Sequence, residues 1–338
     1  MQERVFHVLM RELCDEMGIK MEKLSNDRIL QLTKDGKVRH IDGNRFDINP
    51  QAGGRITGNK YDTYEVLKSQ NVPIITHFQV FSPTLSPSKI DDGGIWPTII
   101  AKFNECGCLV VKANTGSEGK EVFLCLTQKD LEIAVHKLLN KKRSISICPF
   151  YDIKTEYRTF YLNGKVYLIY GKIQPSVIGD GVTDLGTLIE GLNLPNRKVA
   201  RDNVARMDLD YIPEKGEEIL ISWKHNLSGG AIPVVLDSDS ELYSRIEEIA
   251  ISAGKAMNMN FATVDVIHTY DDELMVMEIN SGICTARFSE KIENGYELAK
   301  GIYREAVKCL FQWKQKKMGS VDSIFFLLFY CIFYFVII

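Results

Sequence analysis

The sequence predicts an α+β protein of two lobes, and three observations carry that expectation. At 338 residues, the chain is long enough for about two domains of roughly 150 residues each. Asn163-Gly164 lies between two alternating runs, Lys154 to Leu162 and Lys165 to Ile173, which is the strongest short-range signal for an antiparallel hairpin. Amphipathic helical stretches, among them Glu241 to Met257 and Glu290 to Trp313, recur between such strands.

Composition narrows the class further. Hydrophobic residues make up 45% and charged residues 25%, ordinary values for a globular chain, which exclude collagen, long coiled coil and wholesale disorder. Lys plus Arg number 41 against 44 Asp plus Glu. So balanced a chain lacks the global basic field of a nucleic-acid binder, and any phosphate site must be local. The eight cysteines form no C-x-x-C pair; they read as reduced thiols of a cytoplasmic protein. No secretory leader pattern opens the chain.

The elements follow in order. Residues 1–58 read as a short α/β segment: a helix over Arg4 to Met17, weak alternation over Glu22 to Leu32, a turn at Lys34-Asp35-Gly36-Lys37, a strand at Val38 to Ile41 and a loop at Gly53-Gly54. Residues 59–70 form a helix ended by Asn71-Val72-Pro73, and Ile74 to Phe81 a strand. The Ser- and Pro-rich stretch 82–94 marks a lobe boundary. Cys108 to Lys112 and Glu121 to Leu126 are strands around a Gly-containing loop, and Thr127-x-x-Asp130 is a capping box opening a helix to Leu139. Ile145 to Phe150 is a further strand, and Leu185 to Leu192 a short helix. The last hairpin pairs Ala262 to His268 with Leu274 to Asn280.

Four constellations carry chemistry. Lys112 to Val122 is a strand–loop–strand flap with Gly116, Ser117 and Gly119; it lacks the Walker A register, and its backbone N–H groups and Lys112 suit phosphate oxygens, although an ordinary hairpin turn fits the same residues. A two-residue turn at Asp271-Asp272 would set Asp265 opposite Glu278, with Asn280 on the same side about 6.6 Å further on. Val264, Val266, Met277 and Ile279 then fall on the core side. Opposed carboxylates on one face call for a cation between them, and hard Mg²⁺ suits such oxygen donors, although a solvated hairpin face fits the same residues. Arg158, Lys172, Arg201 and Arg287 are a set of cations, each of which reads equally as a surface cation satisfied by a carboxylate; an unbulged Asn163-Gly164 hairpin would put Arg158 and Lys172 on opposite sides. Lys224 to Ala231 (KHNLSGGA) is a polar loop with two glycines able to present backbone donors to an anion.

Taken in order, these stretches resemble the ATP-grasp superfamily of carboxylate–amine ligases over residues 59–313, and are most similar to the ATP-grasp domains of cyanophycin synthetases and glutathione synthetases. The stretches are Asn59-Lys60-Tyr61, the flap, Glu156-Tyr157-Arg158, Gln174 to Gly181 (QPSVIGDG), Asn226 to Gly230 (NLSGG), and Asp265 with Glu278-Ile279-Asn280. The resemblance implies an ATP-grasp fold of two α/β lobes clasping ATP, here 59–146 and 147–313. It implies that Lys60 and Lys112 contact ATP phosphates, that Gly116, Ser117 and Gly119 close over them, and that residues 147–150, with Cys148 and Phe150, line the adenine slot. Asp152 or Glu156 would reach the ribose. Asp265, Glu278 and Asn280 would hold Mg²⁺, with Mn²⁺ as a substitute. Lys172, Arg158 and Arg201 would stabilise the transferred phosphoryl group, and Asn226 would bind the acyl end.

The implied activity is an amino-acid or peptide ligase that works through an acylphosphate and releases ADP and phosphate. A phosphotransferase on the same fold and a non-catalytic nucleotide-binding or membrane adaptor are the alternatives. Expected partners are small amino-acid or peptide substrates and further copies of the chain, not nucleic acid. Fewer residues precede Lys60 than in the substrate domains of such ligases, which leaves acceptor binding open. The run Ile324 to Ile338 is 15 uncharged residues after Lys314, Lys316 and Lys317, short of the about 20 that span a bilayer. It reads as a membrane-contacting tail, a buried element, or an extension foreign to the fold.

Overall fold

In the computed structural model, which describes residues 3–116, 119–192 and 207–312, the chain opens with a helix and a four-stranded meander. Helix α1 (Val5–Glu16) buries Phe6, Leu9, Met10 and Leu13 on one face. Strands β1 (Lys20–Leu24), β2 (Ile29–Lys34), β3 (Lys37–Asp42) and β4 (Arg45–Phe46) pair in sequence order. The alternation expected over 22–32 is therefore two strands. Ser25, Asn26 and Asp27 break it with φ of 54°, 52° and 62°, values that small polar side chains tolerate in turns. Gly53-Gly54, expected in a loop, lies in helix α2 (Gln51–Ile56). A Cβ on Gly53 would sit 2.9 Å from the Met257 carbonyl oxygen, so glycine permits the helix to pack there. Asn59 caps α3 (Lys60–Ser69), its side chain accepting from the Asp62 amide.

The next unit is a sheet with two helices. It holds β5 (Phe78–Phe81), α4 (Trp96–Cys106), β6 (Leu109–Ala113), β7 (Val122–Cys125), α5 (Gln128–Leu139) and β8 (Ser144–Pro149), with strand order β5-β8-β6-β7. The Thr127/Asp130 capping box forms in full. Val80, Ile99, Val111, Leu131, Val135 and Ile147 share one core. The loop 82–94 joins β5 to α4 inside that core's unit, not at a lobe boundary. Helix α4 was not among the sequence expectations, although Trp96, Ile99, Ile100 and Phe103 stand at helical spacing and pack on that core, with Pro97 in the first turn; what it lacks is a capping side chain.

The large lobe is built on one antiparallel sheet. Its elements are β9 (Ile153–Leu162), β10 (Lys165–Ile173), β11 (Ser176–Ile178), α6 (Leu185–Glu190), β12 (Glu218–Leu220), β13 (Ile232–Val235), α7 (Glu241–Ala256), β14 (Phe261–Thr269), β15 (Leu274–Asn280), α8 (Ala286–Lys291) and α9 (Gly295–Gln312). The central order is β13-β10-β9-β14-β15, while β11 and β12 pair separately. Asn163 and Gly164 take φ of 48° and 82°, as a two-residue primed turn requires. The helix expected over 290–313 is two helices, broken where Asn294 adopts φ 58°.

One sheet face packs Val264, Val266, Val276 and Ile279 on Ile246, Ala250 and Ala253 of α7. The other packs Phe160, Tyr170 and Phe261 against the N-terminal segment and α9, through Phe6, Phe46 and Tyr303. Each such apolar side chain contributes about 1.5–3 kcal/mol on burial. Among the described residues no helix is long and apolar enough to cross a membrane; the run 324–338 lies outside them.

Candidate active site

Between the β6–β7 flap, the loop 223–228 and the ends of β14 and β15 lies a cleft of about 500 Å³. A smaller chamber of about 280 Å³ adjoins it and shares Arg45, Thr57, Gly58, Lys60, Glu278 and Asn280. The flap is tied down at its root: Asn114 Oδ1 accepts from the Tyr61 amide at 3.0 Å, and its carbonyl accepts from the Lys60 amide at 3.0 Å. Lys60 Nζ donates to the Gly116 carbonyl at 3.1 Å. At the other end of the flap Gly119 has φ +65°, and a Cβ there would meet Asn226 Oδ1 at 2.6 Å. Flap and Asn226 loop therefore touch only because that residue has no side chain.

Two bulges aim the floor of the cleft. The β9–β10 register shifts between Val166 and Leu168, so Arg158 pairs with Tyr170 and Lys172 with Glu156. All four then share a face, and Arg158 and Lys172 are not on opposite sides as an unbulged hairpin would have them. In β14–β15 the turn is longer than two residues, since His268 pairs with Leu274, but the register shifts between Asp265 and Val266 and restores Asp265 opposite Glu278. Met277 is the extra residue. It lines the cleft beside Glu278, and Val276 takes the core position expected for Met277.

Four charges interlock on that floor. Asp265 accepts from Arg158 Nε at 2.7 Å and from Arg158 Nη2 at 2.6 Å. Lys172 Nζ lies 3.4 Å from Asp265 and donates to Glu156. The compensation that Asp265 requires thus comes from a guanidinium and an ammonium. Burial pushes the Asp265 carboxyl up, but Arg158 and Lys172 outweigh it and hold it below its ordinary value. Burial raises the Glu156 carboxyl, with Lys172 opposing. Burial depresses the Lys60 ammonium, and Glu278 opposes that shift. His225 Nδ1 donates to the Lys172 carbonyl at 2.9 Å, tying the 223–228 loop to the end of β10.

Glu278 and Asn280 sit side by side, the Asn280 amide nitrogen donating to Glu278 Oε1 at 3.0 Å. The other oxygen of Glu278 and the amide oxygen of Asn280 have no partner among the described residues. Hard oxygen donors of this kind fit Mg²⁺, which commonly takes one or two carboxylates and completes its shell with water and phosphate. Among the described residues no cluster of three His, Cys, Asp or Glu side chains forms a self-sufficient metal site.

Of the residues the sequence singled out, Lys60, Lys112, Gly116, Gly119, Arg158, Lys172, Asn226, Asp265, Glu278 and Asn280 line this one cleft. Cys148 does not: it is buried within β8, its thiol donating to the Val110 carbonyl. Phe150 packs on Trp223, ring centroids 6.2 Å apart, and it is Trp223, with Phe288, that lines the cleft while Phe150 does not. Asp152 is exposed beside the start of β9 and outside the lining. Glu156 lines the cleft but is engaged by Lys172. Ser117 and Arg201 lie outside the described residues. Arg45, Thr57 and Trp223 line the cleft without a sequence signal; no motif surrounds Arg45, and its contribution depends on how the N-terminal segment docks.

Residues 222–304 match the RimK-like ATP-grasp domain. The glutathione biosynthesis bifunctional protein GshAB of Pasteurella multocida is 24% identical over 273 residues, covering 75% of this chain and 34% of its own length. The cyanophycin synthetase of Synechocystis sp. is 24% identical over 253 residues, 68% of this chain and 27% of its own length. The chain thus spans about a third of the length of these curated relatives. The crystal structure of the bifunctional glutathione synthetase from Pasteurella multocida superposes with a TM-score of 0.53 at 17% identity, covering 89% of this chain and 44% of that one. A D-alanine–D-alanine ligase from Bacillus anthracis superposes with a TM-score of 0.51 at 14% identity, covering 78% and 69%.

Proposed function

From a chain that has the ATP-grasp fold and carries a RimK-like ATP-grasp domain over residues 222–304, we propose an ATP-dependent carboxylate–amine ligase that forms an amide or peptide bond. The observation that carries this reading is the convergence, in one cleft, of a lysine-bearing glycine flap with the Asp265, Glu278 and Asn280 oxygens.

The lining of the cleft supports these roles for the described residues, and Ser117 and Arg201 are assigned by the family resemblance alone. Lobes 59–146 and 147–313 clasp Mg²⁺·ATP between them. Lys60 and Lys112 meet the phosphates, and the flap at Gly116 and Gly119 covers them; Ser117 belongs to the same flap. Trp223, backed by Phe150, supplies the aromatic wall for the base. Glu278 and Asn280, with Asp265 behind them, would hold Mg²⁺, which when bound neutralises phosphate charge. Lys172 and Arg158 are held ready by Glu156 and Asp265, and Arg201 belongs with them in this proposal. Their charges offset the negative charge spread over the transferring oxygens.

A substrate carboxylate oxygen attacks the γ-phosphorus and the bond to the β-phosphate bridging oxygen breaks, giving an acylphosphate and ADP. The amine then attacks the acyl carbon, loses a proton, and expels phosphate. The flap, in contact with Asn226 at the acyl end, keeps water from the mixed anhydride. The small substrates are amino acids or peptides, and the setting is cytoplasmic.

The experiment is a product screen. The full chain is incubated with Mg²⁺·ATP and pairs of amino acids, ADP is followed enzymatically, and adducts are read by mass. The reading expects ADP release tied one-to-one to a mass equal to both substrates less water. ADP release with a stable phosphorylated acceptor and no adduct would contradict it.

A further inference from the structure

Four cleft-lining cations are left over from this reading, and Lys120 and Lys224 are engaged elsewhere, Lys224 over the Trp223 ring, which leaves Arg45 and Arg287. Arg45 enters from β4 of the N-terminal segment. Backbone pairing fixes it there: Arg45 bridges Gly282, and the Ile283 amide donates to the Asn44 carbonyl at 3.0 Å. A Cβ on Gly282 would meet Arg45 Cγ at 3.5 Å and Nε at 3.9 Å, so the arginine stem lies across that glycine. Arg287 projects from the first turn of α8, at the far end of the same 281–285 loop. Arg158 and Lys172 each engage a carboxylate. Arg45 and Arg287 have no carboxylate, hydrogen-bond or ring partner among the described residues, yet both line the cleft.

The charge balance points the same way. Eight cationic side chains and three carboxylates line the cleft. Mg²⁺·ATP carries a net charge of about −2, since one divalent ion offsets half of the nucleotide's charge. That leaves positive charge unanswered, and the part of it without a partner, Arg45 and Arg287, flanks the loop that follows Asn280. Guanidinium is the side chain best matched to a carboxylate, through two parallel N–H···O bonds.

Building on the ligase reading, we propose that Arg45 and Arg287 bind a substrate carboxylate that the reaction does not consume. At least one substrate is then an amino acid, or a peptide with a free carboxylate, and the N-terminal segment is part of the substrate site. Arg45 and Arg287 are specificity residues: they touch substrate away from the reacting atoms.

The test is binding to the full chain, which keeps it independent of turnover. The protein is saturated with Mg²⁺ and a non-hydrolysable ATP analogue, then titrated calorimetrically with L-aspartate, L-glutamate, L-alanine and the corresponding α-amides. Wild type is expected to bind at least one acid more than about 10-fold tighter than its amide, the scale of a charge-assisted contact. Arg45→Gln and Arg287→Gln should each weaken the acid by about 10-fold and leave the amide and the analogue unchanged, and Arg45→Lys should recover part of the loss. Three results overturn the proposal: an acid preference intact in both variants; a loss confined to the ATP analogue, which makes the anion a nucleotide phosphate; or no acid binding by wild type. In the last case retained analogue binding leaves the ligase reading standing, whereas loss of analogue binding as well removes that reading too.

Discussion

Replacing Asp265 with Asn tests the four-charge floor of the cleft. The substitution keeps the shape and removes the charge that Arg158 grips at 2.7 and 2.6 Å and that Lys172 approaches to 3.4 Å. Breaking one partner out of a buried pair costs about 3–5 kcal/mol, because the other charge stays behind uncompensated. Two features place this case at the low end. The Arg158 side chain keeps 23% of its exposure, so water relieves it in part, and Glu156 still engages Lys172. A loss of about 3 kcal/mol corresponds to a Tm drop of about 4 °C in a chain of 338 residues, since the unfolding entropy scales with length. The assay is thermal unfolding at neutral pH in EDTA. The carboxyl is held below its ordinary value, so its contribution is complete above about pH 4 and drains as pH falls through the folded value. The gap between wild type and variant should therefore narrow in acid. Should Asp265→Asn not fold, Arg158→Lys keeps the charge, loses the two-point contact, and should drop Tm by about 1–2 °C. Equal Tm values in EDTA, with a difference appearing only on adding Mg²⁺, would refute the reasoning: a metal ion would then be the partner of Asp265 and not Arg158.

Gly119→Ala puts a Cβ against Asn226 at a left-handed position; affinity for an ATP analogue should fall about 5-fold or more while Tm moves by less than about 2 °C, and unchanged affinity would mean that flap and loop do not meet. Gly254→Ala drives a methyl into the Tyr161 ring beneath α7; urea unfolding should show a loss of about 1–3 kcal/mol, and a neutral result would contradict the close packing of α7 on the sheet. Burial, with Lys112 and Lys60 adding to it, pushes His77 down to about 2. The unfolded chain then takes up a proton that the folded chain refuses, so stability should fall with acidification from about pH 6.5, by at most about 1.4 kcal/mol per pH unit. His77→Gln should flatten that slope, and an unaltered slope would show that the ring is accessible to protons in the fold.

Local signals in the sequence were sufficient wherever one interaction decided the outcome. The Asn163-Gly164 turn and the Thr127/Asp130 cap each rest on neighbours in sequence. What escaped depends on register or on distant partners. The bulges at Tyr167 and Met277 change which side chains share a face, and nothing in an alternating run announces an extra residue. Two departures cancelled in the second hairpin: a longer turn and a bulge together returned Asp265 to Glu278, while Met277 exchanged places with Val276. Arg45 reached the cleft only through the docking of β4 on the loop after β15. Helix α4 did show one signal, Trp96, Ile99, Ile100 and Phe103 at helical spacing behind Pro97, but with no capping side chain and a Ser- and Pro-rich stretch before it the period did not stand out.

The central claim is that a carboxylate is phosphorylated on its way to an amide, and oxygen tracing tests it most directly. A carboxylate substrate drawn from the product screen is labelled with ¹⁸O and turned over with Mg²⁺·ATP and its amine partner, and the released phosphate is analysed by mass. An acylphosphate route predicts one labelled oxygen in each phosphate released per amide bond formed. Unlabelled phosphate, with the amide still forming, would contradict it.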